Sequence, residues 1–313
     1  MPRKVIIDTD PGIDDAIAIL LALASPDELQ VLGIVAVAGN LPLPLTERNA
    51  RQICEFAGRP HLAVYPGCAR PLLRPPATAA QIHSDSLGER LGLPEPVMAL
   101  QQQHGVDFLI ETVRAAAAGA VTICALGPLT GIALALVKAP DIALRIDEIV
   151  VMGGAGFELG NITPAAEFNI HADPHAAEIV LGSGIPLTMI PLDVTHQVLS
   201  TPPRIAALQG LGNRCGPAVA ALLADFEEAR TARFGERGRA LHDPCVIAYL
   251  LRPDLFDGRA VNVAVETASP LTLGMTVVDW WGVTGRTANA RFMTTVNADG
   301  VYRLVTEKLA DLP

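Results

Sequence analysis

Aromatic side chains are scarce in this chain. They make up 4% of its 313 residues, with two Trp, three Tyr and eight Phe. A core built on large rings is therefore excluded, and the 50% hydrophobic content rests on small and branched aliphatic residues, which suit buried parallel strands covered by helices. Cysteine is sparse too. Cys54, Cys68, Cys124, Cys215 and Cys245 are scattered, odd in number and without a C-x-x-C pair. That speaks against a disulfide framework or a thiolate zinc site, and for a reducing, cytoplasmic setting. Long apolar runs are missing as well. A spanning helix needs about 20 consecutive apolar residues, and the strongest stretch, 16–24, falls short despite a mean hydropathy of +0.36. The opening Met1-Pro2-Arg3-Lys4 is not followed by a secretory apolar region. Positive charge is in deficit, with 23 Lys and Arg against 33 Asp and Glu and a formal net charge of −10. Neither a nucleic-acid partner nor a membrane partner is expected.

What is present is alternation. Residues 4–9, 31–38, 62–65, 121–126, 148–152 and 187–192 read as strands, separated by helical patterns over 14–24, 45–57, 106–119, a stretch ending at Lys138, and 174–182. Such βαβ units imply one α/β domain over residues 1–313, with a mainly parallel central sheet flanked by helices, a Rossmann-like open sheet. Its active site belongs at the carboxyl ends of the strands. Two stretches break the pattern. Residues 66–104 hold six prolines, and 227–243 are rich in arginine. Both are expected as long active-site loops.

The most informative segment is Asp8-Thr9-Asp10-Pro11-Gly12-Ile13-Asp14-Asp15-Ala16, with four carboxylates within eight residues where a strand gives way to a helix. Helix capping accounts for one or two of them. Four in one turn repel each other unless a cation neutralises them. No H-E-x-x-H occurs in the chain, and all-oxygen ligands favour Ca²⁺ or Mg²⁺. A site assembled from distant loops with bidentate carboxylates suits the larger Ca²⁺. In His242-Asp243-Pro244, Asp243 reads either as a helix cap or as a further ligand. Ala166-Glu167-Phe168-Asn169 sets an acid and an amide around one aromatic ring, a combination suited to vicinal hydroxyls. The glycines of 154–161 lack dinucleotide-loop spacing, so NAD is not expected.

Taken together, D-T-D-P-G-I-D-D-A (8–16), M-G-G-A (152–155), A-E-F-N-I (166–170) and H-D-P-C (242–245) resemble the inosine/uridine-preferring nucleoside hydrolase family. Ala38-Gly39-Asn40 and Leu126-Gly127-Pro128-Leu129-Thr130 support the likeness, which extends over residues 4–303. The resemblance implies hydrolysis of the N-glycosidic bond of ribonucleosides to ribose and free base, with one Ca²⁺ and a homo-oligomer, dimer or tetramer. It assigns the ion to Asp10, Asp15, Asp243 and the Leu126 carbonyl. Asp10 would also deprotonate the attacking water, oriented by Asn40. Asp14, Asn161, Glu167 and Asn169 would grip the ribose hydroxyls, with Met152 near the 5′ side and Phe168 against the ring. His242 would stand near the departing base, and His83, in the Pro-rich loop, is a second candidate there. The chemistry agrees: the ring gains positive charge as the base leaves, and carboxylates beneath it stabilise that charge. Single displacement with inversion is the expected mechanism.

The chain also departs from the family pattern. Some members carry a tyrosine on the helix before H-D-P, and here Glu227, Arg230, Arg233 and Phe234 occupy that region. Gly131 stands where Asn is common, a change expected to alter only local packing. His61, His104, His171, His175 and His196 receive no role, and Trp280-Trp281 reads as core filling as readily as base stacking. Two competing readings are a haloacid-dehalogenase-like Mg²⁺ phosphatase and a catalytically inactive nucleoside- or ribose-binding protein. The first needs a later Lys and acidic pair that the sequence does not offer convincingly. The second predicts a damaged acid cluster, whereas Asp10, Asp15 and Asp243 are all present.

Overall fold

The computed structural model describes residues 1–76, 87–234 and 239–313, with the backbone alone for 89–90 and 225–234. His83 lies outside the described residues. The strands are β1 (Arg3–Thr9), β2 (Leu29–Ala36), β3 (Val64–Pro66), β4 (Val121–Ala125), β5 (Ile146–Met152), β6 (Leu187–Ile190), β7 (Leu199–Ser200), β8 (Arg239–Ala240), β9 (Phe256–Val265), β10 (Thr276–Asp279) and β11 (Ala290–Val296). One sheet runs in the order β10-β9-β11-β6-β5-β4-β1-β2-β3, and β7 with β8 makes a separate ribbon. Every pairing from β11 across to β3 is parallel. The expected single α/β domain with a mainly parallel sheet is what the chain forms. The far edge is antiparallel, with β9 against β11 and β10 against β9. In β9, buried residues mostly alternate with part-exposed ones, as in a strand covered on one face.

Val5, Ile6 and Ile7 of β1 are fully buried because helices cover both faces of the sheet. Helices Ile13–Leu23, Leu43–Phe56, Pro244–Leu251 and Ala298–Leu309 pack on one face. Gly105–Ala115, Thr130–Lys138 and Pro174–Leu181 pack on the other. Strand β1 lies between β2 and β4, so the connections leaving it and β4 diverge and open a crevice at their carboxyl ends. Helix Ile13–Leu23 is buried along its whole length, as befits one that is apolar all round. It packs on the equally apolar Pro244–Leu251. That contact carries Asp243 across more than two hundred residues to the N-terminal acids.

The first part of the segment 227–243, expected as a loop, is helical. Helix Cys215–Phe234 continues through it, because Ala, Leu, Glu and Arg are strong helix formers whatever their charge. A short helix, Leu87–Leu91, also interrupts the proline-rich stretch. Among the described residues, no helix is long and apolar enough to cross a membrane, and all five cysteines are unpaired and buried.

Candidate active site

The acids of the first motif are held by different devices. Thr9, the last residue of β1, donates its hydroxyl to Asp15 Oδ1 at 2.6 Å, and Gly12 N–H donates to Asp15 Oδ2 at 2.9 Å. Asp15 thus closes the N-terminus of helix Ile13–Leu23 while keeping its carboxylate in the crevice. Asp10 lies just past β1. Its Oδ2 accepts the Asn40 backbone N–H at 2.6 Å, and its Oδ1 is buried with no partner among the described residues. The Asn40 side chain donates to Asp10 O at 3.3 Å and to Asp15 Oδ2 at 3.2 Å. Its amide nitrogen therefore bridges the Asp10 backbone and the Asp15 carboxylate. Backbone flanks Asp10 closely on two sides. A Cβ on Gly39 would fall 2.1 Å from Asp10 Oδ2, and one on Gly127 2.6 Å from Oδ1.

Asp243 begins helix Pro244–Leu251, but its side chain accepts no capping hydrogen bond. Its carboxylate faces the other acids instead. Oxygens of Asp14, Asp15 and Asp243 all lie within 4.8 Å of one another, and all three residues are buried. Asp14 Oδ1 accepts from Arg239 Nη2 at 2.9 Å. Burial pushes the Asp10, Asp15 and Asp243 carboxyls above their ordinary range, and repulsion from neighbouring acids, Asp14 among them in each case, pushes them further. A hard cation resolves both penalties at once. The donor set is all oxygen, and Asp10 contributes a buried oxygen without a partner, so the residues fit a divalent metal ion.

The neighbouring strand ends build a second wall. Asn169 Nδ2 donates to Leu126 O at 2.7 Å and to Met152 O at 3.1 Å, tying the ends of β4 and β5 together. Glu167 is fully buried, and its carboxylate accepts backbone N–H groups of Asn169 at 2.9 Å, Gly154 at 3.1 Å and Ile170 at 3.2 Å. Burial pushes its carboxyl up to about 7 against those donors. Glu167 is thus also a clamp on the loop after β5 and a cap on the short helix Phe168–Ala172. Asn161 Oδ1 accepts from Phe168 N at 2.8 Å, and the Phe168 and Met152 side chains are buried.

His242 stands on the other side of Asp243. Its Nδ1 shares a 2.8 Å hydrogen bond with the Thr195 hydroxyl, and its ring lies 5.9 Å from that of His196. His196 in turn meets Glu158 at 3.2 Å, so a histidine to which the sequence lent no role sits beside one to which it did. His104 instead caps helix Gly105–Ala115, and His171 contacts Leu273 O at 2.9 Å. Trp280 is part-buried under the Arg259 guanidinium at 3.7 Å, and Trp281 is exposed.

Sequence reasoning missed two features of the site. Asp8 is fully buried and neither carboxyl oxygen has a partner among the described residues. Burial pushes it up to about 8. A side chain rooted at Gly131 would begin 3.1 Å from Asp8 Oδ2, so this glycine bears on a buried acid as well as on packing. The other is Arg239, whose contact with Asp14 spans 225 residues and has no local signal.

Comparison with known proteins gives a family-model match over residues 5–303, described as inosine-uridine preferring nucleoside hydrolase. The chain belongs to this family. The chain is 52% identical over 310 residues to an uncharacterised protein of Schizosaccharomyces pombe, covering 99% of this chain and all of the other. It is 44% identical to the pyrimidine-specific ribonucleoside hydrolase RihA of Salmonella gallinarum, covering 99% of each. Among solved structures, a purine-preferring ribonucleoside hydrolase from Gardnerella vaginalis superposes with a TM-score of 0.91 at 31% identity, covering 98% of each chain. As a member of the nucleoside hydrolase family the chain is an enzyme, and nothing favours the phosphatase or the inactive binding protein.

Proposed function

We propose that this enzyme hydrolyses ribonucleosides, pyrimidine ribonucleosides foremost, to ribose and the free base, with Ca²⁺ as cofactor. The observation that carries the reading is the convergence of Asp10, Asp14, Asp15 and Asp243, all buried, where β1 and β4 part. Asp10, Asp15, Asp243 and the Leu126 carbonyl would hold the ion. When bound, Ca²⁺ supplies countercharge, an anchor for vicinal hydroxyls and a more acidic attacking water. The preference for pyrimidines draws on the relative named for them.

The side chains divide the remaining tasks. Asn40 N–H occupies one oxygen of Asp10, so Oδ1 is left to take the proton from water. Asp14 and Asn169 hold the 2′ and 3′ hydroxyls, while Glu167 and Asn161 hold the 5′ side beside Met152. Phe168 packs on the ring. As the bond to the base lengthens, positive charge on the ring meets buried carboxylates that are already in place. His242, backed by Thr195, gives the departing base a proton or a hydrogen bond. No side chain forms a bond to the sugar, so the anomeric configuration inverts. Unpaired cysteines fit a reducing cytoplasm, and the family resemblance fits a homo-oligomer.

The test is release of free base from uridine, cytidine, inosine, adenosine and guanosine, with Ca²⁺ and after chelation. The reading expects turnover with Ca²⁺, fastest for uridine or cytidine, and loss of turnover on chelation. Turnover of none of the five, or turnover indifferent to chelator, would contradict it.

A further inference from the structure

Arg239 brings a permanent positive charge into the acidic group. Its side chain is 3% exposed, that of Asp14 8%, and the two meet at 2.9 Å. A guanidinium stays protonated throughout the range in which proteins fold, and burying one is costly unless it is paired. The fold holds this residue firmly. Arg239 pairs with Ser200 across the β7–β8 ribbon, and Ser200 Oγ shares a buried 2.6 Å hydrogen bond with Tyr302 OH. Leu241 N–H donates to Val198 O at 2.8 Å, continuing the ribbon toward His242 and Asp243. The same short piece of backbone therefore sets the guanidinium, the histidine and one of the acids.

Asp14 has two competing uses. Its oxygens lie close enough to those of Asp15 and Asp243 for a cation to recruit all three. A carboxylate spent on the ion offers less to a hydroxyl. We infer that Arg239 is a positioning residue that withholds Asp14 from the metal ion and keeps it for the substrate. This rests on the nucleoside hydrolase reading above. By binding Oδ1 at 2.9 Å, the guanidinium draws Asp14 to its own side. It also adjusts the charge of the site. Four carboxylates against a divalent cation leave two negative charges. Arg239 balances one, and the ring charge that develops during bond cleavage meets the other. A fixed positive charge one carboxylate away also opposes cation binding, so the residue sacrifices metal affinity for substrate alignment.

The test is calorimetric titration of the metal-free full-length protein with Ca²⁺ alone, alongside steady-state kinetics, for wild type, Arg239→Met, Arg239→Lys and Asp14→Asn. Arg239→Met is expected to bind Ca²⁺ at least tenfold more tightly while KM rises tenfold or more and kcat falls less. Arg239→Lys is expected to restore both values most of the way. Asp14→Asn should bind Ca²⁺ within about threefold of wild type, with a raised KM. Unchanged or weaker Ca²⁺ affinity in Arg239→Met, an unchanged KM, or a hundredfold loss of Ca²⁺ affinity in Asp14→Asn would overturn the inference. Should Arg239→Met fail to fold, the Lys and Asn variants still decide. A wild-type protein that neither binds Ca²⁺ nor cleaves nucleosides would overturn the functional reading itself, a result distinct from an unresponsive Arg239.

Discussion

Asn40 donates its backbone N–H to Asp10 Oδ2 at 2.6 Å, while Oδ1 of the same carboxylate is buried and has no partner among the described residues. The two residues follow the ends of adjacent parallel strands, Asp10 after β1 and Asn40 after β2, in a register that pairs Thr9 with Ala36. One oxygen is fixed by the fold and the other is free for chemistry. Asp10→Asn keeps the shape and removes the proton acceptor. It is expected to lower kcat for base release by about a thousandfold, with little change in the far-ultraviolet spectrum.

Gly39 and Gly127 sit on opposite flanks of the Asp10 carboxylate, and a Cβ on either would come within 2.1 Å or 2.6 Å of its oxygens. No side chain rotation relieves that overlap without moving Asp10. Gly39→Ala and Gly127→Ala should therefore reduce kcat/KM by about a hundredfold or more, a cost of misplacement by a fraction of an ångström. Kinetics on the two folded variants checks this.

Asn169 joins two strands through one amide, bonded to Leu126 O and Met152 O. Asn169→Ala leaves both buried carbonyls without that donor. Denaturant unfolding should show a loss of about 1–3 kcal/mol, and kcat/KM should fall at least tenfold because the β4 end no longer holds its place.

The buried Asp8 carboxyl, pushed up to about 8 from 3.8, has a sign that can be checked. The folded state holds this proton more tightly than the unfolded state does. Its stabilising effect is fully present below pH 4 and is lost as pH rises to about 8, by about 1.4 kcal/mol per pH unit. Unfolding in saturating Ca²⁺ across that range should show Asp8→Asn losing less stability with pH than wild type. Parallel curves for the two proteins would argue against a buried neutral Asp8.

His242, held by Thr195 at 2.8 Å, is assigned to the departing base. His242→Asn is expected to slow nucleoside cleavage by about a hundredfold, yet to slow a p-nitrophenyl riboside by less than tenfold, since that leaving group needs no proton. Equal losses on both substrates would remove His242 from this role.

Much of this was legible from residue order alone. The strand and helix alternation up to residue 192 foretold the parallel sheet, because buried parallel strands announce themselves as short aliphatic runs. The acids of 8–15 pointed to a cation site because one turn crowds them together. Asp14 and Asp15 do meet Asp243 in a group that could hold a metal, while Asp8 is buried with no partner among the described residues. What lay beyond reading has a common cause: it depends on contacts between distant segments. Arg239 was one arginine among several in a stretch expected as a loop, with nothing to single it out until the β7–β8 ribbon carried it to Asp14. His196 gained a neighbour only once Thr195 and His242 met. Glu167 was expected to grip the ribose and Asn40 to orient the attacking water, and the fold also uses both as clamps.

The central claim is that Asp10, Asp15 and Asp243 share one hard cation. Anomalous diffraction from crystals soaked in Ca²⁺ tests it most directly. The account predicts a single strong peak between those three carboxylates, within bonding distance of an oxygen of each. A difference map without that peak, or with the ion held elsewhere, would contradict it.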